Sequence, residues 1–335
     1  MKRETDRGSI GNGCWTNGFY VIESQGPETG TPQILIRDVS LLSPYGFDLK
    51  GTFESGQCFR WNRISPGRYA GIVRGKAVTV SLEETRHLRI ENATREDFVE
   101  IWHSYFDLAT DYAPILEQVD KDAFLHEAAV FSGGARMLRQ DFEETLFTYI
   151  LSSQNNIPRI RKLVETLCEK YGAPIPGNVP SQIFGYSFPS TAALSRAFCT
   201  MDRPGCRAGN LCETPFAGYR CPYVRQTVAM LASASPAGVL DFDRLANSTA
   251  AEARKMLCAF PGVGEKVADC VLLYSGLRKD LCPIDTWVEK TIRKIYLEPH
   301  ASKKEIRTFT ESYFGENAGY AQLWFFNYVR NNPAW

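Results

Sequence analysis

Val78, Val80 and Leu82 alternate with Thr79 and Ser81, the period-two pattern of a half-buried strand. The apolar run Tyr69-Ala70-Gly71-Ile72-Val73 precedes them across Arg74-Gly75-Lys76. Strand-like patterning extends from residue 33 to about 92. Phe98, Ile101, Trp102, Tyr105 and Phe106 then fall at helical spacing between Arg95 and Phe106. These elements predict a small antiparallel α+β domain over 31–130. Beyond residue 112 the chain reads almost wholly helical. Asp141, with Glu144 three residues on, opens a helix like a capping box and carries Leu146, Phe147 and Ile150 inward. Pro158 suits the first turn of the next helix, which Gly172 ends. The stretch 173–190, rich in Pro, Gly and Ser, reads as a connection. Residues 131–335 are therefore expected to form a helical domain, with two helices around a hairpin at about 251–275. Residues 1–30 lack periodicity and are expected to be a mobile extension.

Composition narrows the class. With 335 residues and 44% apolar side chains the chain can build a sizeable core. It has no apolar run long enough to cross a membrane, and its polar N-terminus lacks the apolar stretch of a signal peptide. An intracellular protein is expected, in cytoplasm and nucleoid or in a nucleus. Ten cysteines there are reduced thiols or metal ligands rather than a disulfide frame. Zero net charge argues mildly against a nucleic-acid partner, but local patches steer binding more than totals do. Two such clusters stand out in sequence, Arg136, Arg139, Arg159, Arg161 and Lys162, then Arg220 and Arg225.

The chemistry concentrates in Phe260-Pro261-Gly262-Val263-Gly264-Glu265-Lys266-Val267-Ala268-Asp269-Cys270 and, further on, Pro283-Ile284-Asp285. A Pro-Gly-Val-Gly hairpin between two helices frees backbone N–H groups of Gly262, Gly264 and the following turn to grip a phosphate. Lys266, in the first turn, is either a phosphate-touching surface lysine or a nucleophile that forms a Schiff base. Asp285 precedes Thr286-Trp287-Val288-Glu289 and reads as a helix N-cap. An ionised carboxylate there also stabilises positive charge developing nearby. Cys199, Cys206, Cys212 and Cys221 would suit an all-cysteine zinc site, although they lack short CxxC pairs; the alternative is free or buried thiols.

The hairpin, with Ser55-Gly56-Gln57-Cys58-Phe59-Arg60-Trp61, Leu151-Ser152-Ser153-Gln154-Asn155-Asn156-Ile157-Pro158-Arg159-Ile160, Gly218-Tyr219-Arg220, and Phe314-Gly315 through Ala321-Gln322, resembles the 8-oxoguanine DNA glycosylase branch of the helix-hairpin-helix glycosylases. The ordered match runs from about residue 40 to 330. The resemblance implies a TATA-binding-protein-like N-terminal domain and a monomer acting on damaged double-stranded DNA in base excision repair. It implies a glycosylase and AP lyase whose catalytic residues are Lys266 and Asp285. The Gly56 carbonyl would accept from the N7–H found only on the oxidised base, Gln322 would read the Watson–Crick edge, and Cys270 and Phe326 would sandwich the ring. Gln154, Asn155, Arg159, Tyr219 and Arg220 match the family's gap-filling and orphan-cytosine contacts. Gln154 stands where eukaryotic members have asparagine, and Trp287 and Val329 replace a histidine and an aspartate. The carbonyls of Cys258, Phe260 and Val263 match positions that hold a structural cation, while catalysis requires no cofactor. A glycosylase for another lesion and a non-catalytic DNA-binding module remain alternatives.

Overall fold

The structure, a computed structural model, describes residues 12–27, 30–177, 179–197, 217–233 and 241–335. Seven strands, β1 (Asn12–Thr16), β2 (Phe19–Gln25), β3 (Pro32–Ile36), β4 (Trp61–Ser65), β5 (Arg68–Val73), β6 (Lys76–Glu83) and β7 (His87–Glu91), form one antiparallel sheet. Their order is β1-β2-β3-β7-β6-β5-β4. The expected hairpin is β5–β6, with Ala70 opposite Thr79 and Val73 opposite Lys76. Its turn puts Arg74 and Gly75 at φ 48° and 77°, which matches the twist of the strands it joins. β1 and β2 correct the expectation of a mobile extension at residues 12–25. Asn17 and Gly18, at φ 47° and 83°, make the same kind of turn between them.

One face of the sheet is sealed by helices. Val21, Ile34, Ile36, Val78, Val80, Leu88 and Ile90 are fully buried beneath Phe53 of the helix Leu49–Glu54 and beneath Phe98, Trp102 and Phe106. Phe53 stacks on Trp61 at 4.1 Å between ring centroids. The helix expected from Arg95 onward is present but widens into a π-helical turn at Phe98–Trp102.

A second core begins at Tyr112 and is built by the helices that follow, with Phe59 reaching in from the sheet side. The change of core falls near residue 110, ahead of the border expected at 130. The expected inward residues Leu146, Phe147 and Ile150 of the helix Phe142–Ser152 are all buried. Asp141 caps that helix by accepting from Glu144 N at 3.0 Å. The reciprocal half of the box is missing, since the Glu144 carboxylate turns to Arg60 instead, at 3.5 Å. Asn156 caps Ile157–Tyr171, which Gly172 ends as expected. No helix among the described residues is long and apolar enough to cross a membrane.

The helix Glu265–Tyr274 packs on Phe142–Ser152 and is tied from behind by buried charge. Asp269, fully buried, accepts from Arg254 Nε at 2.5 Å and from Arg307 Nη1 at 3.0 Å. Removing one partner of a buried pair leaves the other uncompensated, at a cost of about 3 kcal/mol or more. Asp269→Ala is therefore expected to lower the urea unfolding midpoint and, with it, the unfolding free energy by about 3 kcal/mol or more. An unchanged midpoint would mean the two arginines find other acceptors.

Candidate active site

The hairpin is held by its neighbours before it meets any ligand. Thr249 and Glu252 close a capping box at the start of the helix Ala250–Leu257. Phe260 is buried, and its carbonyl accepts from Val263 N at 3.1 Å. Gly262 has φ 80°, and a Cβ there would stand 2.6 Å from the Tyr223 ring, so only glycine fits. Gly264 is the N-cap of Glu265–Tyr274 and offers no side-chain acceptor to the first turn. The N–H groups of that turn, with the positive end of the helix dipole, are thus directed at whatever anion approaches.

Lys266, Cys270 and Tyr274 follow at i, i+4 and i+8 and share one face of this helix. Lys266 is half-buried, with Nζ 5.1 Å from the centroid of the Tyr149 ring. Tyr149 stacks on Tyr274 at 5.7 Å and 18°. Burial pushes the Cys270 thiol up to about 12, against the pull of the adjacent Lys266 ammonium, so it is a neutral apolar wall at ordinary pH.

Asp285 is the N-cap of the helix Thr286–Ile295. Its Oδ1 accepts from Trp287 N and Val288 N, both at 2.9 Å. With both bonds on one oxygen the carboxylate is fixed in orientation, and Oδ2 is left for a ligand. Lys266 and Asp285 line a single groove of about 940 Å³, together with Gly262, Gly264 and the Ser153-Gln154-Asn155 segment.

Gly56, at φ +91°, is linked to this groove through Tyr149. Its carbonyl accepts from the Tyr149 hydroxyl at 3.3 Å, which leaves a second lone pair. The neighbouring Gln57 fixes this carbonyl in place. Its fully buried amide donates to the carbonyls of Thr52 and Arg136, each at 2.8 Å, and accepts from Leu138 N at 2.9 Å. On the C-terminal helix Ala318–Asn331, the buried Gln322 accepts from the Tyr274 hydroxyl at 3.2 Å. Phe326 lies one turn further on, and its Cε1 is 3.8 Å from where a Gly56 Cβ would stand. Gly56, Cys270, Gln322 and Phe326 are thus drawn to one place, through Tyr149 and Tyr274, which sequence reading passed over. The i, i+4, i+8 spacing from Lys266 was the signal for Tyr274.

The segment 154–159, which begins on the groove, presents some of its side chains and folds others back. Gln154 is exposed with φ 47°, Asn155 donates to Leu151 O at 3.2 Å, and Arg159 is exposed. Arg220 is buried, and its Nε and Nη2 donate to the Ser153 and Gln154 carbonyls, at 2.8 Å from Nε to Ser153 and 3.1 Å from Nη2 to Gln154. Tyr219, half exposed, donates to the same Ser153 carbonyl at 3.1 Å. Arg220 therefore braces the loop from within, while Gln154 and Arg159 stay exposed. Of the sequence cluster Arg136, Arg139, Arg159, Arg161 and Lys162, only Arg159 and Lys162 are exposed. Arg136 is fully buried, 3.6 Å over the Tyr112 ring, while Arg139 pairs with Asp107 at 2.6 Å and Arg161 donates to Asn62 at 3.2 Å. The basic residues that do line the groove, Lys303, Lys304 and Arg307, come from the helix Lys303–Phe314. Trp287 is exposed and Val329 is buried in the helical core. Cys199, Cys206 and Cys212 lie outside the described residues, and Cys221 is buried at the start of the helix Cys221–Ser233.

A family model for the 8-oxoguanine DNA glycosylase N-terminal domain matches residues 40–146. The Clostridium acetobutylicum 8-oxoguanine glycosylase/lyase, solved with dsDNA containing cytosine opposite 8-oxoG, superposes with a TM-score of 0.78 at 32% identity, over 93% of this chain and 98% of that one. The chain belongs to the 8-oxoguanine DNA glycosylase family. MBOgg1, solved with a low-affinity DNA ligand, is 35% identical over the same shares of both chains, with a TM-score of 0.78. The N-glycosylase/DNA lyase OGG1 of Arabidopsis thaliana is 29% identical, over 82% of this chain and 75% of that one.

Proposed function

We propose that this DNA glycosylase and lyase removes 8-oxoguanine from duplex DNA through a covalent intermediate on Lys266. What supports this most is the meeting of Lys266 and Asp285 in one groove, with Lys266 Nζ over the ring of Tyr149, whose hydroxyl donates to the Gly56 carbonyl. The hairpin N–H groups and the start of the helix Glu265–Tyr274 grip the backbone phosphate, and the target nucleotide is extruded into the pocket. The lone pair of Lys266 Nζ forms a bond to C1′ as the glycosidic bond breaks, and the base leaves with the bonding electrons. Sugar-ring opening and loss of a proton from nitrogen give the Schiff base. Removal of a C2′ proton then expels the 3′ phosphate and nicks the strand. Asp285, held by its two cap bonds, stabilises the positive charge on the sugar as the base departs.

Base identity is read by position. The free lone pair of the Gly56 carbonyl accepts from N7–H, a donor guanine lacks. Gln322 faces the Watson–Crick edge with its amide N–H groups and the second lone pair of its oxygen. Cys270, kept neutral, and Phe326 close on the two ring faces. A cation at the Cys258, Phe260 and Val263 carbonyls would draw the hairpin tight. The Phe260 carbonyl, with one lone pair on Val263 N–H, keeps another for an ion.

Excision is expected to be fastest opposite cytosine, whose O2 and N3 acceptors suit the exposed Arg159. One charge-assisted bond of about 1.5–3 kcal/mol corresponds to roughly a ten- to hundredfold preference. Arg159→Met should flatten that preference more than it lowers the rate opposite cytosine. Single-turnover excision from duplexes carrying 8-oxoguanine opposite each base, with alkylated and deaminated bases alongside, checks both points. Equal rates opposite all four bases, or faster release of another lesion, would overturn the assignment.

A further inference from the structure

Gln322, Phe326 and Arg330 recur every four residues along the C-terminal helix Ala318–Asn331, so the face that holds the two base-contact candidates carries an arginine at its end. Arg330 Nη1 is 3.3 Å from where a Cβ of Gly56 would stand, and its Cζ is 5.3 Å from the Phe326 ring centroid. The guanidinium therefore rests against the backbone that is to read N7–H and against the ring that is to stack on the base. It is only partly exposed, yet it makes no hydrogen bond or ion pair among the described residues. The buried arginines among the described residues do: Arg136, Arg220 and Arg254 each donate to carbonyls or carboxylates. A half-buried guanidinium without acceptors bears a desolvation cost. The Asp285 carboxylate is the opposite charge that offsets part of this cost.

We propose that Arg330 is a specificity-determining residue that donates to a carbonyl oxygen of the extruded purine beside N7–H, either O8 or O6. On that edge 8-oxoguanine presents a donor, N7–H, flanked by two acceptors. The pocket presents the complement, the Gly56 carbonyl as acceptor with the Arg330 guanidinium as donor next to it. Bonding to O8 would add to discrimination against guanine, whereas bonding to O6 would strengthen binding of any 6-oxopurine. The inference rests on the function proposed above.

The test compares Arg330→Met, which keeps bulk beside Phe326 and removes the donors, with Arg330→Lys, which restores one. Single-turnover rates are measured on duplexes with 8-oxoguanine, 8-oxoadenine or a preformed abasic site opposite cytosine. The expected result is a fall of at least tenfold in 8-oxoguanine excision by the Met variant, relative to abasic-site cleavage by the same preparation, with partial recovery in the Lys variant. A parallel fall on 8-oxoadenine, which keeps O8 but has an amino group at position 6, assigns O8; a fall confined to 8-oxoguanine assigns O6. Equal falls on lesion and abasic substrates would overturn the proposal and place Arg330 with the phosphates or with Asp285, and no fall on either would also overturn it. Unaltered protein that cleaves abasic sites yet leaves 8-oxoguanine in place would instead sink the functional reading, and this inference with it.

Discussion

Lys266→Gln is expected to lose excision and borohydride trapping by more than about a thousandfold, the scale of removing a nucleophile whose partners act with it as a unit. Duplex affinity should stay within a few-fold. The phosphate grip comes from backbone N–H groups of the hairpin and the turn after Gly264, and these survive the substitution. Glutamine also keeps most of the length that packs Lys266 over Tyr149, so the pocket wall should not collapse. Trapping at the native level in this variant would remove Lys266 as the nucleophile. Loss of binding together with activity would show instead that the lysine serves the phosphate.

Asp285→Asn separates the two roles that the sequence left superposed. The structure confirms the cap, through bonds from Trp287 N and Val288 N to Oδ1. Asparagine caps about as well as aspartate, so the stability loss should be under about 1 kcal/mol. The charge is another matter. Removing a fixed charge beside a reaction centre costs on the order of a hundredfold or more in rate, and that is the expected fall in single-turnover excision. A rate within a few-fold of the unaltered protein, with the same melting temperature, would reduce Asp285 to a cap.

Why some of this was legible in the sequence and some not follows from the range of the interactions involved. The β5–β6 hairpin, the capped helices and the hairpin before Lys266 are set by local rules: alternation, turn chemistry and capping, all written in neighbouring residues. Asn17-Gly18 obeys the same rules, but only Val21 in β2 is fully buried, so the apolar alternation that would have marked the strand is weak. Arg136 and Arg220 lie beside basic or DNA-contacting candidates in the chain yet fold inward, because carbonyls from distant segments converge on their guanidinium groups. Tyr149 and Arg330 are the opposite case. Each looks like an ordinary helix residue until Gly56, brought by the sheet-side segment and locked by Gln57, is set against it. Such a meeting is decided by how two cores dock, which no local pattern encodes.

The central claim is that the amine of Lys266 becomes bonded to the sugar. Borohydride reduction of the protein in the act of cleaving an 8-oxoguanine duplex, followed by proteolysis and mass spectrometry of the cross-linked peptide, tests it directly. The account predicts one adduct, on Lys266, with no other lysine carrying it. An adduct on Lys303 or Lys304, the other lysines lining the groove, or base release with no adduct at all, would contradict it.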